Sequence, residues 1–268
     1  MLHRPRRRFG QHFLHDTGVI QRIVNAIAPQ PDQCMVEIGP GLGAITVPLL
    51  KRLGRLHVVE LDRDVIPELT RRCAGIGELS IHSHDALKFD FSSLAPKAGK
   101  LRIAGNLPYN ISTPLIFHLL RQAHAIEDMH FLLQREVVER ITASPGGRAY
   151  GRLSVMVQYR CRCERLFAVD SGAFSPRPQV ESALLRLVPC SRPQIKVIDE
   201  KWFARIVKHA FAQRRKTLRN ALKQLLGTGD IEAAGVDPSL RSEMLTLEQF
   251  AALANVKPAD PLVMDEHE

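Results

Sequence analysis

Cys34-Met35-Val36-Glu37-Ile38-Gly39-Pro40-Gly41-Leu42-Gly43 is the stretch whose reading decides the fold. Its first five residues read as a buried strand, three glycines follow at alternate positions, and a helical pattern continues to about residue 53. Strand, glycine turn and helix in succession open a doubly wound α/β sheet, where glycines let the backbone approach a ligand at a helix N-terminus. A bare G-x-G-x-G is a weak signal, and a plain tight turn accounts for it as well. The strands on either side add weight. Leu56-His57-Val58-Val59-Glu60 ends in an acid 21 positions beyond Gly39, and Leu79-Ser80-Ile81-His82-Ser83 leads into Asp85. A carboxylate at position 60 can take both hydroxyls of a ribose, and Asp85 can accept from an adenine amino group. Asp85 read alone is equally a solvated loop acid.

A fourth strand, Leu101-Arg102-Ile103, runs into Ala104-Gly105-Asn106-Leu107-Pro108-Tyr109-Asn110-Ile111. In an open α/β sheet the C-terminal end of a strand is where ligands gather. The residues there suit methylation of an exocyclic amine, whose lone pair is delocalised into its ring. An Asn side-chain oxygen and the Pro108 carbonyl can accept both N–H bonds and help the nitrogen pyramidalise. Tyr109 can stack on the base or face a positive charge. The plainer reading is a Pro-Tyr turn closing a strand. The tetrapeptide resembles the N-L/P-P-Y/F/W motif of class I amino-methyltransferases. A nicotinamide site would want G-x-G-x-x-G, whereas Ala44 and Ile45 follow Gly43. Taken together the signals indicate S-adenosylmethionine as the ligand, with Gly39, Gly41, Glu60, Asp85 and Asn106 around it.

The 268 residues allow one large domain with a small companion. Hydrophobic residues at 45% and charged residues at 24% describe an ordinary globular chain, and a net charge of +9 points to a polyanionic partner. Five scattered cysteines without a secretory segment read as reduced cytosolic thiols. Cys161-x-Cys163 has no second ligand pair, so no metal is expected. No apolar run approaches membrane-spanning length, and no membrane partner is expected.

Along the rest of the chain, Arg6, Arg7 and Arg8 form a basic arm or a solvated tail. A helix is expected over residues 16–28 with Asp16 as its N-cap. Others are expected over 113–122, 136–143 and 152–159, with strands at 129–133, 161–169 and 181–188. Gly172-Ala173-Phe174-Ser175-Pro176-Arg177-Pro178 holds Phe174 at a loop, either as a core plug or as a stacking surface opposite Tyr109. The pattern breaks near 189, where a domain boundary is expected, and helices follow. Residues 201–223 carry eight Lys or Arg and no acid, on two helices interrupted near Gln213. Such a face suits a phosphate backbone, with Arg214, Arg215, Lys216, Arg219 and Lys223 as contacts. Gly227 to Gly229 is expected to end the second helix.

With Gln11-His12-Phe13-Leu14, Glu37-Ile38-Gly39-Pro40-Gly41-Leu42-Gly43, Glu60, Asp85, Asn106-Leu107-Pro108-Tyr109, Phe174-Ser175-Pro176-Arg177-Pro178 and Phe211-x-Gln213-Arg214-Arg215-Lys216 all present, the chain resembles the KsgA/RsmA family. These are the 16S ribosomal RNA adenine dimethyltransferases, related to the Erm enzymes and mitochondrial transcription factor B. The resemblance implies an α/β fold: a Rossmann-like class I methyltransferase sheet over residues 1–188 and a small all-α RNA-binding domain over 189–268. It implies that His12 and Leu14 close over the cofactor, that Gly39 approaches its methionine part, and that Asn106, Pro108, Tyr109 and Phe174 hold the target adenine. The implied substrate is two adjacent adenosines in a hairpin loop near the 3′ end of 16S rRNA, dimethylated on N6 in an assembling 30S subunit by a cytoplasmic monomer. Two rivals keep the same core: an Erm-type large-subunit enzyme, and a largely non-catalytic assembly factor. Asn106, where DNA adenine enzymes commonly carry an acid, argues against DNA.

Overall fold

The computed structural model describes residues 12–97, 99–190 and 195–256. The chain divides into two compact units. One comprises the chain up to Val138 with Arg162–Pro189, the other Glu139–Cys161 with the chain from Cys190 onward.

The first unit begins with a two-residue strand β1 (Phe13–Leu14) and helix α1 (Thr17–Ile27). Asp16 caps α1 by accepting from Val19 N at 2.9 Å, as its sequence position predicts. There follow β2 (Met35–Ile38), α2 (Thr46–Leu53), β3 (Arg55–Glu60), α3 (Ile66–Cys73), β4 (Glu78–Ser83), β5 (Leu101–Asn106), α4 (Ser112–Leu120) and β6 (Ile126–Gln134). Helix α5 (Arg135–Ile141) carries the chain into the second unit and α6 (Arg152–Gln158) lies within it. The chain returns as β7 (Cys161–Val169), β8 (Phe174–Ser175) and β9 (Ser182–Pro189).

Seven strands form one sheet in the order β4-β3-β2-β5-β6-β9-β7. The pairs β3·β4, β2·β3, β2·β5 and β5·β6 are parallel, and β9 runs antiparallel to β6. The order reverses between β2 and β5, so the loops after these two strands face one crevice. Gly105 allows the two strands to lie close: a Cβ there would stand 2.6 Å from the Ile38 carbonyl oxygen. One face of the sheet is covered by an apolar cluster that takes Ile23, Val24 and Ile27 from α1, Leu49 and Leu50 from α2, and Leu69 from α3. Burying each such side chain is worth about 1.5–3 kcal/mol. Helix α3 was not expected from the sequence; Pro67 near its start and Glu68 in its first turn are its local signals.

Near the start of β5, Arg102 is 7% exposed and makes a two-pronged pair with Asp128 of β6, at 2.8 and 2.9 Å. It also donates to the Ile27 carbonyl at 2.7 Å, so a cation sits at the C-terminal end of α1.

The second unit contains α6, α7 (Glu200–Ala212), α8 (Leu218–Ala221), α9 (Thr228–Ala233) and α10 (Leu247–Asn255). Phe203, Ile206, Val207 and Ala210 of α7 are fully buried, with Phe250 and Leu253 from α10. Three findings differ from the sequence expectation. Tyr150, Val155 and Tyr159 belong to this same cluster, so residues 139–161 join the helical unit and the boundary is not a single cut at 189. Gly227 begins α9 and does not end a helix, because its N–H is taken by Asp230 three residues on. Helix α8 is only four residues long, so Lys223 lies beyond it.

Candidate functional site

A cavity of about 1090 Å³ opens at the C-terminal ends of β2, β3 and β5, within the first unit. Its floor is the turn after β2, where Gly39, Gly41 and Gly43 have φ of 66°, 52° and 86°. Side chains avoid that left-handed region, and a Cβ on Gly41 would also meet the Phe13 ring at 3.1 Å. The turn therefore keeps a bare backbone cradle. Arg72 steadies it by donating to the Leu42 carbonyl at 3.0 Å.

Glu60 ends β3 with 7% exposure. Its carboxylate accepts from Asp62 N at 2.8 Å and Gly41 N at 3.2 Å, so the strand-end acid and the glycine turn are tied together. Burial pushes its pKa up, and those two N–H donors oppose the shift. Glu37, on β2, was not singled out from the sequence. It is 2% exposed and its Oε2 has no partner among the described residues. Burial, with the Glu60 carboxylate adding to it, pushes its pKa up to about 8, so it stands largely as a neutral acid at pH 7. Asp85 is half-buried; its Oδ1 accepts from Leu87 N at 2.9 Å, and Oδ2 is unengaged among the described residues.

Asn106 is the last residue of β5. Its Nδ2 donates to the His12 carbonyl at 3.0 Å, which leaves Oδ1 as an acceptor without a partner among the described residues. The Pro108 carbonyl already accepts from Ile111 N at 3.2 Å, so one of its two lone pairs is used by the turn. Tyr109 is half-buried and lies 5.7 Å from the His12 ring, stacked at 28°. Its hydroxyl meets Ser182 Oγ at 3.0 Å, and burial pushes its pKa up, keeping the phenol neutral. The His12 Nδ1 donates to the Pro176 carbonyl at 2.7 Å.

The cavity wall brings together His12, Leu14, Gly39, Gly41, Glu60 and Asp85, and with them Asn106, Pro108 and Tyr109. Phe174 is not part of it. It is 3% exposed, pairs with Leu14 in the β1·β8 ribbon and belongs to the apolar core, so here its ring is packed as a plug. Leu61 lines the cavity although 53% exposed, an apolar wall beside the strand-end acid that the sequence reading passed over.

In the second unit Arg215, Lys216, Arg219 and Lys223 are exposed and form no ion pair among the described residues. Arg214, also exposed, pairs with Glu243 at 2.7 Å and donates to the Arg148 carbonyl at 2.6 Å. Arg6, Arg7 and Arg8 lie outside the described residues.

The sequence model of the family described as "Ribosomal RNA adenine dimethylase" matches residues 2–258. The chain belongs to the ribosomal RNA adenine dimethylase family. Among its relatives, the "Ribosomal RNA small subunit methyltransferase A" of Pseudomonas aeruginosa is 58% identical over 253 residues, 94% of each chain. The protein of the same name from Nitrosococcus oceani is 57% identical, over 94% of this chain and 95% of its own. Among solved structures, a dimethyladenosine transferase from Plasmodium falciparum superposes with a TM-score of 0.75 at 25% identity, covering 90% of this chain and 96% of that one. The 23S rRNA methyltransferase ErmE, at 24% identity and a TM-score of 0.71, shares the fold. As a member of the dimethylase family the chain is an S-adenosylmethionine-dependent methyltransferase of the class I fold.

The site fits that cofactor on its own features. A glycine turn held at positive φ, a buried acid at the end of the second parallel strand, and a half-used carboxylate after the third stand in the order a nucleoside with an amino-acid tail requires.

Proposed function

We propose that this chain dimethylates N6 of two adjacent adenosines in a hairpin loop near the 3′ end of 16S rRNA, acting as a cytoplasmic monomer on an assembling small subunit. The observation that carries the reading is Asn106, whose amide nitrogen is committed to the His12 carbonyl while its oxygen is kept as a free acceptor in the cavity wall. A carbonyl oxygen so oriented can take one N6–H, and the remaining lone pair of the Pro108 carbonyl the other. Tyr109 offers its ring to the base. Loss of one donor after the first methylation leaves one acceptor idle, which a half-engaged Pro108 carbonyl tolerates.

Bound S-adenosylmethionine would supply an electrophilic methyl group. Glu60 would hold its ribose, Asp85 its adenine, Gly39 and Gly41 its methionine part, and His12 and Leu14 would close over it. The chain's contribution is positioning, and no general base is called for because N6, cationic once it has taken the methyl group, gives up its proton readily. The exposed cations at 215, 216, 219 and 223 supply the anchorage on phosphates. The relatives named for the small subunit favour this target over the large-subunit one.

The test is transfer of labelled methyl groups to 30S and to 50S particles from cells lacking the enzyme. Label is expected on 30S only; label on 50S overturns the substrate assignment. Asn106→Ala should lower turnover on 30S by about 100-fold or more, as for loss of one oriented group at a reacting centre, with cofactor affinity changed little. Equal losses in both would make Asn106 a merely structural residue.

A further inference from the structure

The antiparallel strand β9 brings its first residue, not its last, to the catalytic end of the sheet. That residue is Ser182, which lies opposite Gln134 at the C-terminal end of β6. It is 1% exposed, and its Oγ stands 3.0 Å from the Tyr109 hydroxyl. Its own position is pinned through the preceding residue. The Arg135 N–H donates to the Glu181 carbonyl at 2.9 Å, and Arg135 Nη1 pairs with the Glu181 carboxylate at 2.6 Å. Within the turn, Ser112 Oγ donates to the Tyr109 carbonyl at 3.1 Å. The ring is thus held at its backbone by Ser112, at its tip by Ser182 and on its face by His12.

We infer that Ser182 is a positioning residue for methyl transfer, acting through the Tyr109 hydroxyl to fix the plane on which the target base lies. The inference rests on the proposed reading of Tyr109 as the base's stacking surface. A tyrosine ring without a tip tether rotates about two side-chain bonds, and each departure from one plane misdirects the amine that must approach the cofactor in line. The sheet supplies the tether from a strand that carries no other part of the site. Ser182 is not among the residues that line the cavity.

Ser182→Ala, Tyr109→Phe and the double variant are compared on 30S particles, with kcat and KM for the RNA and cofactor Kd by calorimetry. Each single change should lower kcat about fivefold, the range set by one hydrogen bond. Cofactor Kd should stay within about twofold, and the double variant should be no slower than the slower single one, because both changes break the same bond. Multiplying losses, a loss confined to cofactor Kd, or wild-type kcat in Ser182→Ala would each overturn the inference. Should Ser182→Ala not fold, Tyr109→Phe breaks the same bond with the buried serine in place, and wild-type kcat in that variant would also overturn it. Failure of the wild-type protein to label 30S particles would instead reject the functional reading itself.

Discussion

His130 sits on β6 with 2% exposure; neither of its ring nitrogens has a hydrogen-bond partner among the described residues, and Asp128 Oδ1 lies 3.9 Å from Nδ1. Burial lowers its pKa to about 4, against the pull of Asp128 and with the help of Arg102 and Arg186. The unfolded chain therefore binds a proton near pH 6.5 that the folded one refuses until about pH 4. Stability is complete above that window and falls as pH drops through it. Between pH 7 and 5 the loss from this one residue is about 2 kcal/mol. His130→Phe, which removes both ring nitrogens, should flatten that slope in denaturant titrations at the two pH values. An equal slope in the variant would assign the acid lability elsewhere. At this scale the sequence shows the acids and the Asn-Pro-Tyr turn only in combination, because each stands at the end of a strand and each alone has a plainer reading. It does not show Ser182 or the Arg102–Asp128 pair, whose partners are 73 and 26 positions away, nor the buried Glu37, whose Oε2 has no partner among the described residues. Phe174 reads two ways in the sequence because a buried plug and a stacking platform have the same composition.

Helix α10 opens with a reciprocal cap: Thr246 Oγ1 accepts from Gln249 N at 3.3 Å, and Gln249 Oε1 from Thr246 N at 2.9 Å. Phe250 and Leu253, one turn or two further on, are fully buried. Thr246→Ala should cost about 1 kcal/mol in urea unfolding, with methyl transfer unaffected under conditions where the protein stays folded. No change would mean that packing alone sets the helix start. Apart from α3, strand-and-helix alternation through the first unit follows from hydrophobic periodicity, and the interruption of the basic helices at Gln213 is where α7 ends. The misread of Gly227 has a physical source. Glycine is permissive at both ends of a helix, and only Asp230, reaching back to its N–H, marks this one as a start.

For the molecule as a whole, the +9 charge is concentrated where acids are missing from the sequence. Changing Arg215, Lys216, Arg219 and Lys223 together to Glu should weaken RNA binding. It should also reduce the slope of log K against log salt by about 3, close to the value for four lost phosphate contacts. Binding measured from 50 to 300 mM salt checks it, and an unchanged slope would remove these four from the interface. Arg214→Ala should instead lower stability, because it frees Glu243 and the Arg148 carbonyl. Charge of this kind is legible without a structure; the course of the chain between units is not. Tyr150 and Tyr159 precede β7, yet their rings meet Phe211 and Phe203, at 6.1 and 4.8 Å, in the helical unit. The polypeptide enters that unit, leaves it for β7 to β9, and re-enters it. No single scissor cut can release either unit intact, so a fragment ending at 188 would present two orphaned tyrosines to solvent. Inheritance by exchange of modules would require two simultaneous breakpoints, which ties the methylating half and the helical half together as one heritable piece.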